Sequence, residues 1–368
     1  MNSVQTTIER MGSNFLVASM IPALAFVTSV VFIADPVLPP GIRNRFGGEF
    51  DLLGTPGLII LIITIILGFT LTTLNIFLIK IFEGYILIWR IPFFKNSQLR
   101  AHKKYKQRIK MINWRIDVIK NSSLVNKGKI LFELNVQRKK LETAFQNEFP
   151  TRQDEVLPTR FGNVYRSSEV YPMLRYKIDA VPLWPRLIHS IPPSYTAHIE
   201  QAHNELSFLV NCALLSLLFA MISLVISFYQ LFLAYYATSH PDGSTFLYLI
   251  PISLPQEIYL SRFVLYLLAA IAGAVITILF SRASLLSVSE FGYMIRSAFD
   301  LFRFDLLKQL HLELPNDSDE EVELWNKISR FINVGYSLDQ SLQQQRRTPV
   351  FTFVHNPPSN QGETPHKE

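Results

Sequence analysis

Residues 57–79 read GLIILIITIILGFTLTTLNIFLI, a run without one charged side chain. A bilayer core about 30 Å thick is crossed by about 20 apolar residues as a helix. The run is therefore read as a membrane span. Three more stretches of the same character lie at about 14–34, 206–236 and 263–280, again without Asp, Glu, Lys or Arg. Backbone groups in hydrocarbon must satisfy their own hydrogen bonds, so each stretch is expected to be helical. The fold class expected is an all-α integral membrane protein with four transmembrane helices. The exit of the first stretch, Phe32-Ile33-Ala34-Asp35-Pro36, lacks a small-x-small cleavage pattern, and its apolar run is long for a signal peptide.

Charge between the stretches sets an orientation. Residues 84–205 hold 21 Lys and Arg against 10 Asp and Glu, whereas 237–261 hold no Lys or Arg. Basic residues near span ends stay cytoplasmic. Segment 84–205 is thus expected inside, 237–261 outside, and both termini cytoplasmic. The organisation that follows is a first transmembrane hairpin over 1–83, a cytoplasmic loop over 84–205 and a second transmembrane hairpin over 206–283. Cytoplasmic helices over 284–338 and a disordered, Gln-, Pro- and Asn-rich tail over 339–368 complete it. An apolar content of 49% and a mean hydropathy of +0.22 suit a chain with a membrane part and a sizeable soluble part. With Cys212 the single cysteine, an internal disulfide is excluded.

Inside the central loop, Tyr105, Ile109, Ile112, Ile116 and Ile119 recur at 4-3-4-3 spacing, a heptad seam. Asn121-Ser122-Ser123 breaks it. Leu131, Leu134, Leu141 and Phe145 then continue a 3-4 pattern with Arg138 at the skipped place. A helical hairpin over 98–148 is expected, its two helices antiparallel. The basic side chains of 100–120 either form a solvated face or attract anionic lipid. Nucleic acid is not expected, since the interleaved aromatics of a stacking platform are missing.

The densest polar constellation runs from Leu157 to Leu187. Thr159 is placed to cap a helix beginning near Arg160. On that helix Asn163, Arg166 and Glu169 share a face. Arg175, Asp179, Trp184 and Arg186 follow in a Pro-punctuated stretch too irregular to be one helix. Two readings stand. These groups form a buried structural network, or they form an anion or partner site in which surplus guanidinium groups hold a phosphate or carboxylate. The pattern LPTRFGN (157–163), with the later Tyr-Pro, Arg-Tyr and LWPRL (183–187) pieces, resembles a bacterial family of four-span membrane proteins. FEGY (82–85) and SAFDLFRFDLLK (297–308) fit the same family. The resemblance implies architecture and a bacterial inner-membrane location. It implies no substrate, cofactor or catalytic residue.

A helix of some 40 residues is expected to begin at Pro192-Pro193-Ser194 with Ser194 as its cap. The fourth span is expected to continue through Leu312, with Phe291, Ile295, Phe299, Phe302, Leu306 and Leu310 as an apolar stripe. Pro315 ends it. A last helix capped by Asp317 or Ser318 turns Trp325, Ile328, Phe331 and Ile332 inward. Ala269 and Gly273 give the fourth span small residues at four-residue spacing, suited to close helix packing within or between subunits. His198 and His203 sit five apart, about 140° around a helix, unlike an i,i+4 zinc pair. No metal and no cofactor is expected, and no phosphate loop or catalytic triad order is present. The spans carry neutral polar groups, chiefly Asn75, Asn211 and Gln230, which argues against ion-coupled transport. The leading expectation is a non-enzymatic homo-oligomer in the lipid bilayer, channel-like or scaffolding. The alternative is a sensor or adaptor whose Arg-rich segment binds an anionic ligand or a protein.

Overall fold

A computed structural model describes residues 15–34, 55–86, 92–122, 126–239, 256–334, 351, 353 and 354. Ser123, residues 240–255 of the loop expected outside, and all but three residues of the tail from 339 lie outside these. The described chain is helical, with no strand. In order it forms a π turn (Leu16–Met20) and α1 (Ile21–Ala34), α2 (Thr55–Thr73), α3 (Asn75–Glu83), α4 (Pro92–Lys120) and α5 (Lys127–Glu148). Then come α6 (Arg160–Tyr176), α7 (Ala180–Leu187), α8 (Pro193–Ser239), α9 (Gln256–Gln309) and α10 (Ser318–Val334). Among the described residues, three helices are long and apolar enough to cross a membrane: the π turn with α1, α8 and α9.

The 57–79 run passes the same test only as the pair α2 and α3, which bend by 60° at Leu74. The expected second span is therefore not a straight rod. The Thr70, Thr72 and Thr73 hydroxyls donate to the Ile66, Gly68 and Phe69 carbonyls four residues back. Such back-bonding bends helices. Leu74 then leaves helical geometry at φ −87°, ψ 2°.

The chain divides into two compact units, and α4, α6, α8 and α9 give residues to both. The first comprises Met1–Lys95, Leu157–Gly162 and Gln201–Val288. Neutral hydrogen bonds join its helices. Pro22 has no N–H to give the Ala18 carbonyl, and Asn211 Nδ2 of α8 donates to that carbonyl at 2.9 Å. Asn75 Nδ2 meets Ser207 Oγ at 3.0 Å, and the Tyr266 hydroxyl donates to the Ile33 carbonyl at 3.0 Å. A Cβ on Gly273 would stand 3.0 Å from the Ala220 Cβ, so α9 and α8 approach closely there, with Ala269 half-buried one turn earlier.

The second unit comprises Asn96–Val156, Asn163–Glu200 and Ser289–Glu368. Along α4, Ile116 is buried and Tyr105, Ile109, Ile112 and Ile119 are half-buried, while Lys103, Lys104, Lys106, Arg108, Lys110 and Arg115 are exposed. The α4 and α5 helices run antiparallel: His102 and Tyr105 pack on Phe145 at one end, and Lys127 reaches the Lys120 carbonyl at the other. The α9 stripe buries Phe291, Ile295, Phe299 and Leu306. On α10, Asp317 Oδ1 accepts the Asp319 and Glu320 N–H groups at 2.9 and 2.8 Å, an N-cap that meets two otherwise orphaned donors. Trp325 and Ile328 face inward, whereas Phe331 stays 37% exposed. The α8 helix starts at Pro193 rather than after Ser194. Tyr195 and Thr196 both donate to the Pro192 carbonyl, and Pro193 at the first helical position costs no hydrogen bond.

Candidate functional site

The LPTRFG and FEGY pieces meet in the first unit. Helix α3 ends at Gly84, whose φ of 91° suits a residue without a side chain. Gly84 N–H bonds the Ile81 carbonyl and Tyr85 N–H the Lys80 carbonyl, a Schellman ending that leaves the Phe82 and Glu83 carbonyls open. The Thr159 hydroxyl fills that gap, lying 2.7 and 2.9 Å from those two oxygens, and it accepts Gly162 N–H at 2.9 Å. One hydroxyl thus caps the end of α3 and the start of α6. The approach is so close that a Cβ on Gly162 would fall 2.3 Å from the Glu83 carbonyl oxygen. Phe82 and Phe161 stack edge to face beside it, centroids 5.9 Å apart.

Within the second unit, α6 packs on α9 through charge and aromatic rings. A Cβ on Gly292 would strike Ser168 Oγ, so the helices touch there. One turn on, the Asp300 carboxylate accepts the Tyr171 hydroxyl at 3.0 Å on one oxygen and the Tyr176 hydroxyl at 2.7 Å on the other. Burial and that hydrogen bond to an anion push the Tyr176 phenol up to about 12. The Arg303 guanidinium lies 4.2 Å from the Tyr176 ring centre and 4.3 Å from that of Phe304. Its Nε meets Glu321 of α10 at 2.6 Å, and it also donates to the Asp300 carbonyl. Arg296 closes the end of α5. It donates to Asn147 Oδ1 at 2.5 Å, to the Gln146 carbonyl at 3.2 Å and to Ser167 Oγ at 2.7 Å, with the Tyr171 ring 5.5 Å away. A cation on the last carbonyls of a helix is well placed against its dipole.

The eight residues singled out from the sequence do not form one cluster. Arg160 is exposed at the start of α6. Asn163 is fully buried, its amide 3.4 Å from Gln98 Oε1. Arg166 and Glu169 pair at 2.9 Å, with Glu155 at 3.6 Å as a second carboxylate. Arg175 is exposed, its guanidinium 5.9 Å from the Tyr171 ring. Asp179 faces α10, its Oδ2 accepting from Asn333 at 2.9 Å. The Trp184 ring lies 6.0 Å from that of Phe299, and Arg186, exposed, donates to the Pro182 carbonyl of its own helix. The stretch is not one helix, as expected: α6 runs on through Tyr176 and α7 follows separately. Pro172 sits within α6, and the break comes at Lys177, held at a left-handed φ of 62°.

Sequence reasoning missed Glu155, Arg296, Asp300, Arg303 and Glu321. Asp300 and Arg303 stand in the SAFDLFRFDLLK piece, charged residues on an otherwise apolar stripe, and that was the available signal. Both Asp300 oxygens are held by phenols and Arg303 by Glu321, so these groups lock helices rather than present a base or nucleophile. No family model, curated protein or solved structure matches the chain.

Proposed function

We propose that the protein is a non-enzymatic membrane assembly, a homo-oligomer that acts as a channel or scaffold in a bacterial inner membrane. In this reading the bent α2–α3 pair counts as the second of four spans, and both termini are cytoplasmic. The carrying observation is the outward face of α9. Leu265, Leu268, Ile271, Val275, Ile278 and Leu279 are all exposed on one chain, and only 17% of its apolar window is buried. Such a surface needs lipid or a second copy against it. The charge asymmetry of 84–205 against 237–261 supports the orientation. The exposed basic face of α4 favours anionic lipid as a further partner.

Extraction into polymer-bounded native discs, followed by mass determination and ion-flux measurement in liposomes, tests it. A defined multiple of the chain mass is expected. A uniform single-chain particle without flux would overturn the assembly. A cysteine at Ser244, in a Cys212→Ala background, is expected to react with impermeant reagent from outside and one at Ser123 is not.

The second reading, an adaptor that binds an anionic ligand or a protein, draws on Arg175 and Arg186, both exposed, and on the Nε of Arg296, buried without an acceptor. It requires phosphate or a carboxylate compound to raise the melting temperature, with Arg175→Ala abolishing the rise.

A further inference from the structure

Beyond α9, the chain of the second unit turns sharply. His311 takes a left-handed φ of 55°, and residues 312–315 run on as extended, non-helical chain before α10 begins. Leu312 forms an antiparallel bridge with Phe353, and Val354 N–H donates to the His311 carbonyl at 2.8 Å. The Phe351 ring lies edge-on to Phe331 of α10, centroids 5.7 Å apart. It stands at a recess of about 320 Å³ whose walls are apolar at Leu312, Leu314 and Leu324 and polar at Glu320, Glu323 and Lys327.

These contacts have the form of strand addition: a backbone edge supplies the main-chain bond, and Phe351 borders a recess beside it while Phe353 stays exposed. The sequence VFTFV (350–354) has the β-branched and aromatic composition of such a strand. We propose that residues 311–315 and the adjoining face of α10 form a peptide-docking groove, and that the stretch carrying Phe351, Phe353 and Val354 of the same chain is its occupant, a C-terminal latch. The ligand class is a short extended peptide with aromatic side chains at alternate positions. The seat is shallow. Phe353 stays 56% exposed and Val354 43% while docked, so a peptide of the same pattern can displace the stretch. Phe331, an exposed aromatic residue on the amphipathic α10, stands beside this groove in contact with the Phe351 ring.

The flanking position of the Val354 bond makes Leu312 and Phe353 a non-hydrogen-bonded pair, with Cα atoms about 4.5 Å apart and within reach of a disulfide. In the full chain carrying Cys212→Ala, Leu312→Cys with Phe353→Cys is expected to oxidise in membranes to a species of single-chain mass with altered mobility on a non-reducing gel. No cross-link overturns the latch, and a product of doubled mass overturns its assignment to the same chain. A labelled peptide of residues 347–357 tests the groove itself. It is expected to bind the full-length Phe351→Ser/Phe353→Ser variant saturably, and the wild-type chain at least tenfold more weakly. Equal binding to both, or to neither, refutes the groove.

Discussion

Asn211 in the first unit and Arg303 in the second both tie one helix to another, and they do so with different chemistry. Asn211 is neutral, 1% exposed, and spends its amide on the carbonyl that Pro22 leaves open. Its Oδ1 stays buried without a partner, as do Thr64 Oγ1, Ser223 Oγ and Gln230 Oε1. A neutral orphan of this kind costs about 1–3 kcal/mol, which a helix bundle can tolerate. Arg303 carries a full charge at 15% side-chain exposure, and its guanidinium meets Glu321, the Asp300 carbonyl and two aromatic rings. A lone charge there would cost far more than a neutral orphan. The apolar unit thus tolerates neutral orphans at its helix ties, whereas the charge of Arg303 is paired; single unpartnered atoms, such as Arg296 Nε and His102 Nδ1, occur in the second unit as well.

The largest expected effect lies where backbone meets backbone. Gly162→Ala puts a methyl group 2.3 Å from the Glu83 carbonyl oxygen, and neither chain is a flexible side chain that could swing away. The α3–α6 junction should come apart, with loss of most monodisperse protein in size-exclusion chromatography. Gly128→Ala meets nothing within 4 Å and lies in the first turn of α5, so it should be neutral or stabilise by about 0.5–1 kcal/mol. Comparable losses in both would mean that the junction is not close-packed.

Next comes the charge itself. Arg303→Ala or Glu321→Ala should each cost about 3–5 kcal/mol, since each strands the other charge. The double variant should recover part of that loss, and a double-mutant cycle reads the coupling directly. Asn211→Ala in the first unit should cost only about 1 kcal/mol, in the range of polar contacts between membrane helices. The contrast between units fails if thermal unfolding in detergent shows Asn211→Ala to be as damaging as Arg303→Ala.

Periodicity and caps were readable from the chain. Asp317, Thr159, the α9 stripe and the sheltered positions of α4 all follow from spacing that a helix imposes locally. What the sequence did not yield are partners far apart in it. Asp300 meets Tyr171 and Tyr176 across more than 120 positions, and Gly162 meets Glu83 across 79. Nothing local distinguishes Arg303, which is locked, from Arg175, which is exposed, because pairing depends on which helices adjoin. The bend at Leu74 is an intermediate case. Three threonines in four positions were in view, but their hydroxyls bend a helix only when they turn back onto it, and that is a rotamer choice.

The smallest effect concerns the one buried titratable ring on α4. His102 is 1% exposed and sits against Phe145 and Phe149, with Nε2 3.2 Å from the Pro150 carbonyl and Nδ1 buried without a partner. Nε2 therefore carries the proton, and a second proton would have to reside on Nδ1 with no acceptor. Burial first and the nearby Lys106 charge second hold the imidazole below its usual 6.5. The unfolded chain then takes up a proton before the folded one does. Stability should be flat above pH 6.5 and decline as pH falls below it. The slope is at most about 1.4 kcal/mol per pH unit for one proton, until the folded ring titrates as well. His102→Phe keeps an aromatic ring in the cage and removes the proton site. It should flatten the part of the acid slope just below pH 6.5 that the wild-type chain shows, at the cost of the Pro150 hydrogen bond. Parallel slopes in the two proteins would show that His102 is not the group responsible. They would also weaken the comparison drawn above, since an unanswered charge in the second unit would then carry little cost.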